Sequence, residues 1–364
     1  MSVSTQGLTS LRGQGGWTGP VVDVDVHVQV PSIQTLFPYM ERGWRDFIID
    51  RGVGVPPSFA TVYPQNAGNV VRPEWRPADG GLAASSLEIV REQALDAWAV
   101  DRAILNCYWG IDSIRHPDLA ATIARAINDW LIDEWLDRDD RLRASLVVPA
   151  HTFADAVAEI ERVGSHPGFV QVMMPVRAMQ TYGRRNWWPV YDAIVAHDLV
   201  MGMTWGGTSE GPPTPCGWPS YYAEEWAGEQ GVYMSQLTSM IAEGVFQRYP
   251  TFRLAVLDIG FNWVPSLMWR LNKEWKGLRR AIPWVHDPPA RIFRDHIRFT
   301  TAPLDHTPLS ETSRFIRWLG EDMVMFASDY PHAYPGDYRQ FLAALPESAR
   351  PKIMADNARA FYRL

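Results

Sequence analysis

Residues 21–28, VVDVDVHV, constrain this chain more than any other stretch. Val22, Val24, Val26 and Val28 alternate without a break with Asp23, Asp25 and His27. A strand repeats every two residues, so the three polar groups share one face. The near-exclusive use of Val elsewhere suits a strand inside a parallel sheet better than an edge. Two carboxylates beside an imidazole are costly there unless their charge is compensated. A metal ion is the simplest compensator; a solvated face or a hydrogen-bonded structural trio is the plainer alternative.

The rest of the chain supplies a setting for that strand. Residues 1–20 are polar and Gly-rich and read as an N-terminal arm; residues 21–364 read as a single domain. Apolar strand-like runs fall at 21–28, 103–108, 142–148, 169–174, 199–204, 253–258, 297–301 and 323–327. Between them lie helix-period segments, such as 119–136 with Ile123, Ile127, Trp130 and Leu131 on one face. Strands alternating with helices predict a parallel sheet, and eight such units predict an α/β fold of the (β/α)8 TIM barrel type. Two excursions rich in Pro, Gly and aromatics, 31–81 and 205–231, break the rhythm and are expected to cap the C-terminal face.

Composition excludes several classes. A net charge of −7 gives no electrostatic case for nucleic acid or an anionic membrane. Cys107 and Cys216 are too few for a disulfide framework or a cysteine metal cluster. The N-terminus has no apolar signal core and no run reaches the length of a membrane span, so a cytoplasmic protein is expected.

In a (β/α)8 barrel the site lies at the C-terminal ends of the strands. That rule selects Asp23, Asp25 and His27 on strand one, Asn106 and Tyr108 on strand two, and Gln171 and Arg177 on strand four. It also selects Thr204 and Trp205 on strand five, Asp258 on strand six, and Ser328, Asp329 and His332 at strand eight. An isolated Asp at a strand end is more often a helix cap or turn residue. Several carboxylates with two histidines on one rim are harder to explain that way.

Three segments carry a family likeness: VVDVDVHV, FRLAVLDIGFNWVPSLMWRLNKEW (252–275) and MFASDYPHAYPGD (325–337). With them the chain resembles the amidohydrolase superfamily, in its amidohydrolase-related branch. The resemblance implies the barrel and a metal centre, with His27 and Asp329 in retained metal positions. The departures are equally informative. Asp25 stands where a first histidine is usual, Thr204 where strand five usually brings a histidine, and Asp258 where strand six brings histidine or glutamate. The only lysines are Lys273, Lys276 and Lys352, so no bridging lysine is available near strand four.

The resulting donor set is oxygen-rich: Asp25, His27, Asp258 and Asp329 as metal ligands, with His332, Asp23 or a Glu from the 205–231 excursion as additions. Such a set suits iron or manganese more than zinc. Together with the resemblance, which extends to a diiron offshoot, it makes a non-heme diiron monooxygenase the leading expectation. Two Fe ions would activate O2 and hydroxylate a bulky apolar, terpenoid-like acid or its CoA thioester, with an electron donor as partner and Asp329 and His332 as catalytic groups. Trp205, Tyr221, Tyr222, Trp226, Trp263 and Arg177 would line the substrate pocket, although aromatics of this kind often only pack and a surface ion pair is the plainer role for Arg177. The alternative is a mononuclear Zn- or Mn-dependent hydrolase or decarboxylase; a third reading is a degenerate barrel that only binds. A homodimer is the candidate assembly.

Overall fold

The computed structural model describes residues 17–54, 71, 75–78, 80–207, 212, 214, 216–304, 309–332 and 338–364, without the side chains of Tyr222, Leu309, Ser310 and Arg339. Most of the expected arm and the middle of the first excursion, with Phe59 and Tyr63, lie outside the described residues. Eight strands form one sheet in chain order: β1 (Val22–His27), β2 (Arg102–Asn106), β3 (Leu142–Val147), β4 (Phe169–Arg177), β5 (Val200–Gly207), β6 (Leu254–Val256), β7 (Ile297–Thr300) and β8 (Val324–Met325). Every adjacent pair is parallel. The seam between β8 and β1 closes through Val24 N–H to Phe326 O (3.1 Å), His27 N–H to Tyr330 O (2.7 Å) and Asp329 N–H to Asp25 O (3.1 Å). This is the (β/α)8 barrel.

The helices between strands bury one face each, as their periodicity predicts. In the helix Pro117–Leu131, Pro117 starts the first turn and His116 accepts from the Leu119 N–H at 3.4 Å. Leu119, Ile123, Ile127 and Trp130 recur at helical spacing and are buried. Each such side chain contributes about 1.5–3 kcal/mol on leaving water. The buried Asn128 of this helix ties it to β3, donating to Val147 O at 2.8 Å and accepting from Val147 N at 2.9 Å. At the N-terminal end of the barrel the helix Asn357–Tyr362 forms a floor. There the Arg298 guanidinium sits 5.1 Å from the Phe361 ring, and Arg253 donates to the Phe361 carbonyl.

The second excursion is shorter than its composition predicts. A helix runs from Tyr222 to Ala242, so the last part of that segment, from Tyr222 on, is helical. Gly228 and Gly231 obscure its periodicity in the sequence. The start is fixed by Glu224, whose carboxylate accepts from the Tyr221 N–H at 3.1 Å. Further along, Gln236 donates to Val176 O at 2.7 Å and Tyr233 donates to Leu257 O at 2.9 Å, holding the helix against the ends of β4 and β6.

Candidate metal centre

Three strand ends deliver the polar cluster. β1 carries Asp25 and His27 on its inner face. Asp258 follows β6 and Asp329 follows β8, both in the left-handed backbone region at φ 61° and 55°. Few residues other than Gly adopt that region, and Asp does so more readily than most. The sharp turn at each position brings its carboxylate back toward His27. His27 Nε2 lies 2.9 Å from Asp329 Oδ1, 3.1 Å from Asp25 Oδ1 and 3.4 Å from Asp258 Oδ1. None of these approaches has the direction of a hydrogen bond, and Nε2 has no hydrogen-bond partner. Asp25 Oδ2, Asp258 Oδ1 and Asp329 Oδ2 are also buried without one. One donor atom from each of the four residues lies within 4.8 Å of the other three.

Four buried donors that face one another without bonding one another are the arrangement expected around a cation. The electrostatics agree. Burial lowers the His27 pKa, but the charge and contacts of Asp25, Asp258 and Asp329 outweigh it and leave His27 well above its usual value. Burial and the Asp258 charge push Asp25 well above the carboxylate range. Burial acts on Asp258 in the same direction, yet His27, Asp25 and Thr204 together hold it below. A divalent ion would replace these shared protons as the compensating charge.

A second layer fixes the donors. Asn106 donates to Asp25 Oδ1 at 2.6 Å. The Thr204 hydroxyl and the Trp205 N–H, the latter at 3.2 Å, both donate to Asp258 Oδ2. His332 Nδ1 lies 2.8 Å from Asp329 Oδ1, and its ring centroid is 4.6 Å from that of His27. Asp23 stands one step deeper: its Oδ1 accepts from the N–H groups of Ser328 (3.0 Å) and Asp25 (3.2 Å), and burial raises its pKa to about 6. Asp23 thus braces the β1–β8 seam from outside the four-donor cluster.

The expected pocket residues separate. Trp205 stacks on Trp226 with centroids 5.0 Å apart, and the Arg177 guanidinium lies 5.9 Å from the Trp205 ring. Arg177 is buried, not a surface residue, and donates to both Glu225 and Glu229. Trp263 packs edge-on against Phe299 of β7 and donates to Ile259 O at 3.1 Å. Tyr221 is exposed, and the Tyr222 side chain lies outside the described residues. Glu225 and Glu229, glutamates of the excursion expected to add to the donor set, both accept from Arg177, and neither belongs to the four-donor cluster.

Fold and cluster together define a barrel with a metal-type donor set at its C-terminal mouth. The chain belongs to the amidohydrolase family: the family described as Amidohydrolase matches residues 22–364. Solved structures agree in fold. A 5-carboxyvanillate decarboxylase from Sphingomonas paucimobilis has 20% identity and a TM-score of 0.68, covering 95% of this chain and 99% of that one. A 5-carboxyvanillate decarboxylase from Novosphingobium aromaticivorans, complexed with manganese and 4-hydroxy-3-methoxy-5-nitrobenzoic acid, has 18% identity and a TM-score of 0.70, covering 100% of both chains. A 2,6-dihydroxybenzoate decarboxylase from Rhizobium has 20% identity and a TM-score of 0.65, covering 95% and 99%.

These findings correct the expectation of a diiron monooxygenase. Two metal ions about 3.5–4 Å apart need donors distributed over both. Here the donors of Asp25, His27, Asp258 and Asp329 converge on one point, and the grouping that includes His332 reuses His27 and Asp329. The structural relatives named above are decarboxylases, one of them holding manganese. The two Fe ions, O2, the electron donor, the bulky terpenoid-like acid and the CoA thioester all depended on the oxygenase reading and fall with it. Among the described residues, no helix is long and apolar enough to cross a membrane.

Proposed function

We propose that this chain is an enzyme that uses one Mn- or Zn-type divalent ion to decarboxylate a small aromatic acid. The observation that carries the reading is the convergence of four buried, mutually unbonded donors on one point at the barrel mouth. The likeness to decarboxylases of substituted benzoic acids supports the substrate class. Asp25, His27, Asp258 and Asp329 would hold the ion, which would supply Lewis-acid charge for an oxygen of the acid.

The remaining chemistry belongs to the chain. Asp329 and His332 share a contact at 2.8 Å and together hold one proton beside the site. In the reaction this proton goes to the ring carbon that bears the carboxylate. The bond between that carbon and the carboxylate then breaks, its electron pair restores the aromatic ring, and CO2 leaves. The stacked Trp205 and Trp226 form an apolar wall on the β5 side.

The test is CO2 release from hydroxylated and methoxylated benzoic acids by manganese-loaded protein. Turnover of one of these acids, abolished by chelation and restored by the metal, is the expected result. Metal-loaded protein that releases CO2 from none of them, but cleaves an aromatic ester or amide, would overturn decarboxylation in favour of hydrolysis.

A further inference from the structure

A chain of hydrogen bonds crosses the barrel interior from its floor to the metal centre. Tyr362 donates to Gln171 Oε1 at 2.7 Å, and Gln171 Nε2 donates to Ser145 Oγ at 2.7 Å. Ser145 Oγ donates to Asn106 Oδ1 at 2.5 Å, and Asn106 Nδ2 donates to Asp25 Oδ1 at 2.6 Å. All five residues are buried, and four of them belong to β1, β2, β3 and β4. The direction of donation follows from chemistry. With a divalent ion in place of the shared protons Asp25 only accepts, so Asn106 must turn its NH2 toward it. The Asn106 oxygen then needs a donor, which makes Ser145 donate upward and accept from the Gln171 NH2. The Gln171 oxygen is left facing the Tyr362 hydroxyl. Gly202 on β5 makes the room: a Cβ there would lie 2.2 Å from Gln171 Cδ.

We propose that Tyr362 is a positioning residue for the metal centre, acting on Asp25 through Gln171, Ser145 and Asn106. The inference rests on the reading of Asp25 as a metal ligand. Neutral amides do not pass protons readily, so the chain orients and does not conduct. It engages Asp25 Oδ1, the oxygen 3.1 Å from His27 Nε2, and so fixes the carboxylate within the cluster, while Oδ2 has no hydrogen-bond partner. Because every donor points the same way, each bond polarises the next toward the carboxylate.

The experiment compares Tyr362→Phe with wild type by chelator competition for Mn2+ and by the visible absorption of the Co2+-loaded protein. Tyr191→Phe is the control: its buried hydroxyl donates to Tyr182 O at 2.6 Å, away from this chain. Tyr362→Phe is expected to weaken metal binding by about threefold to tenfold, at or below the usual range for an outer-layer partner, and to shift the Co2+ bands. Tyr191→Phe is expected to change neither. Ser145→Ala and Gly202→Ala interrupt the same chain and give the same reading if Tyr362→Phe does not fold. Wild-type affinity and spectrum in folded Tyr362→Phe would overturn the inference while leaving the metal reading intact. A wild-type protein that binds no divalent ion would overturn both.

Discussion

Thr204 donates its hydroxyl hydrogen to Oδ2 of Asp258, while Oδ1 of the same carboxylate faces His27 Nε2 at 3.4 Å. Each oxygen of Asp258 thus has a separate task. In this chain the end of strand five contributes a donor that aims a carboxylate, where the family resemblance leads one to look for a nitrogen ligand.

Removing that donor should loosen the metal. Thr204→Val keeps the shape but loses the hydroxyl, and is expected to weaken Mn2+ binding by about 10-fold or more, in the range for lost outer-layer partners. Thr204→Ser should retain near wild-type affinity. Chelator competition measures both, and equal affinity in Thr204→Val and wild type would contradict the assigned role.

Loss of a donor from the cluster itself should be more severe. Asp258→Ala and His27→Ala each remove one of four convergent groups. Both variants are expected to lose stoichiometric metal after dialysis and activity by at least about a thousandfold, while melting within a few degrees of metal-free wild type. Circular dichroism checks the fold, and elemental analysis the metal.

His332 acts beside the cluster through Asp329. His332→Gln is expected to keep bound metal within a few-fold of wild type and to lower kcat by about 10²–10⁴, the usual size of a general acid–base contribution. Loss of metal in His332→Gln, measured before any assay, would make it a ligand instead.

The Arg177–Glu225–Glu229 group offers a pH test away from the metal. Burial raises the Glu229 pKa from 4.5 to about 7, against the pull of Arg177 and with a push from Glu225. The folded state therefore favours protonated Glu229. That contribution is full below about 4.5 and is lost as pH rises through about 7, and amounts to roughly 3 kcal/mol at most. Glu229→Gln, which mimics the protonated form, should gain a few degrees of Tm on wild type between pH 5 and pH 8.5. A Tm difference independent of pH would contradict the assignment.

Much of the architecture is legible in the sequence because it rests on local periodicity. All eight expected strands occur, and the alternation in VVDVDVHV places Asp25 and His27 on the inner face as drawn. Relationships made by distant residues are much less legible. Asn106 lies at an expected strand end, but its role depends on Asp25 of a neighbouring strand. The Tyr222–Ala242 helix is tied through Glu225 and Glu229 to Arg177 of β4, a partner that no local pattern reveals. Metal number was misread for a related reason. An oxygen-rich donor set is compatible with one ion or two, and only the distances among His27, Asp25, Asp258 and Asp329 distinguish them.

The most direct measurement is metal stoichiometry together with activity in the absence of oxygen. Metal-free protein is titrated with Mn2+ or Zn2+, and turnover of an aromatic acid is followed anaerobically. The account predicts one ion per chain and undiminished CO2 release without O2. Two ions per chain, or turnover that stops without O2, would contradict it.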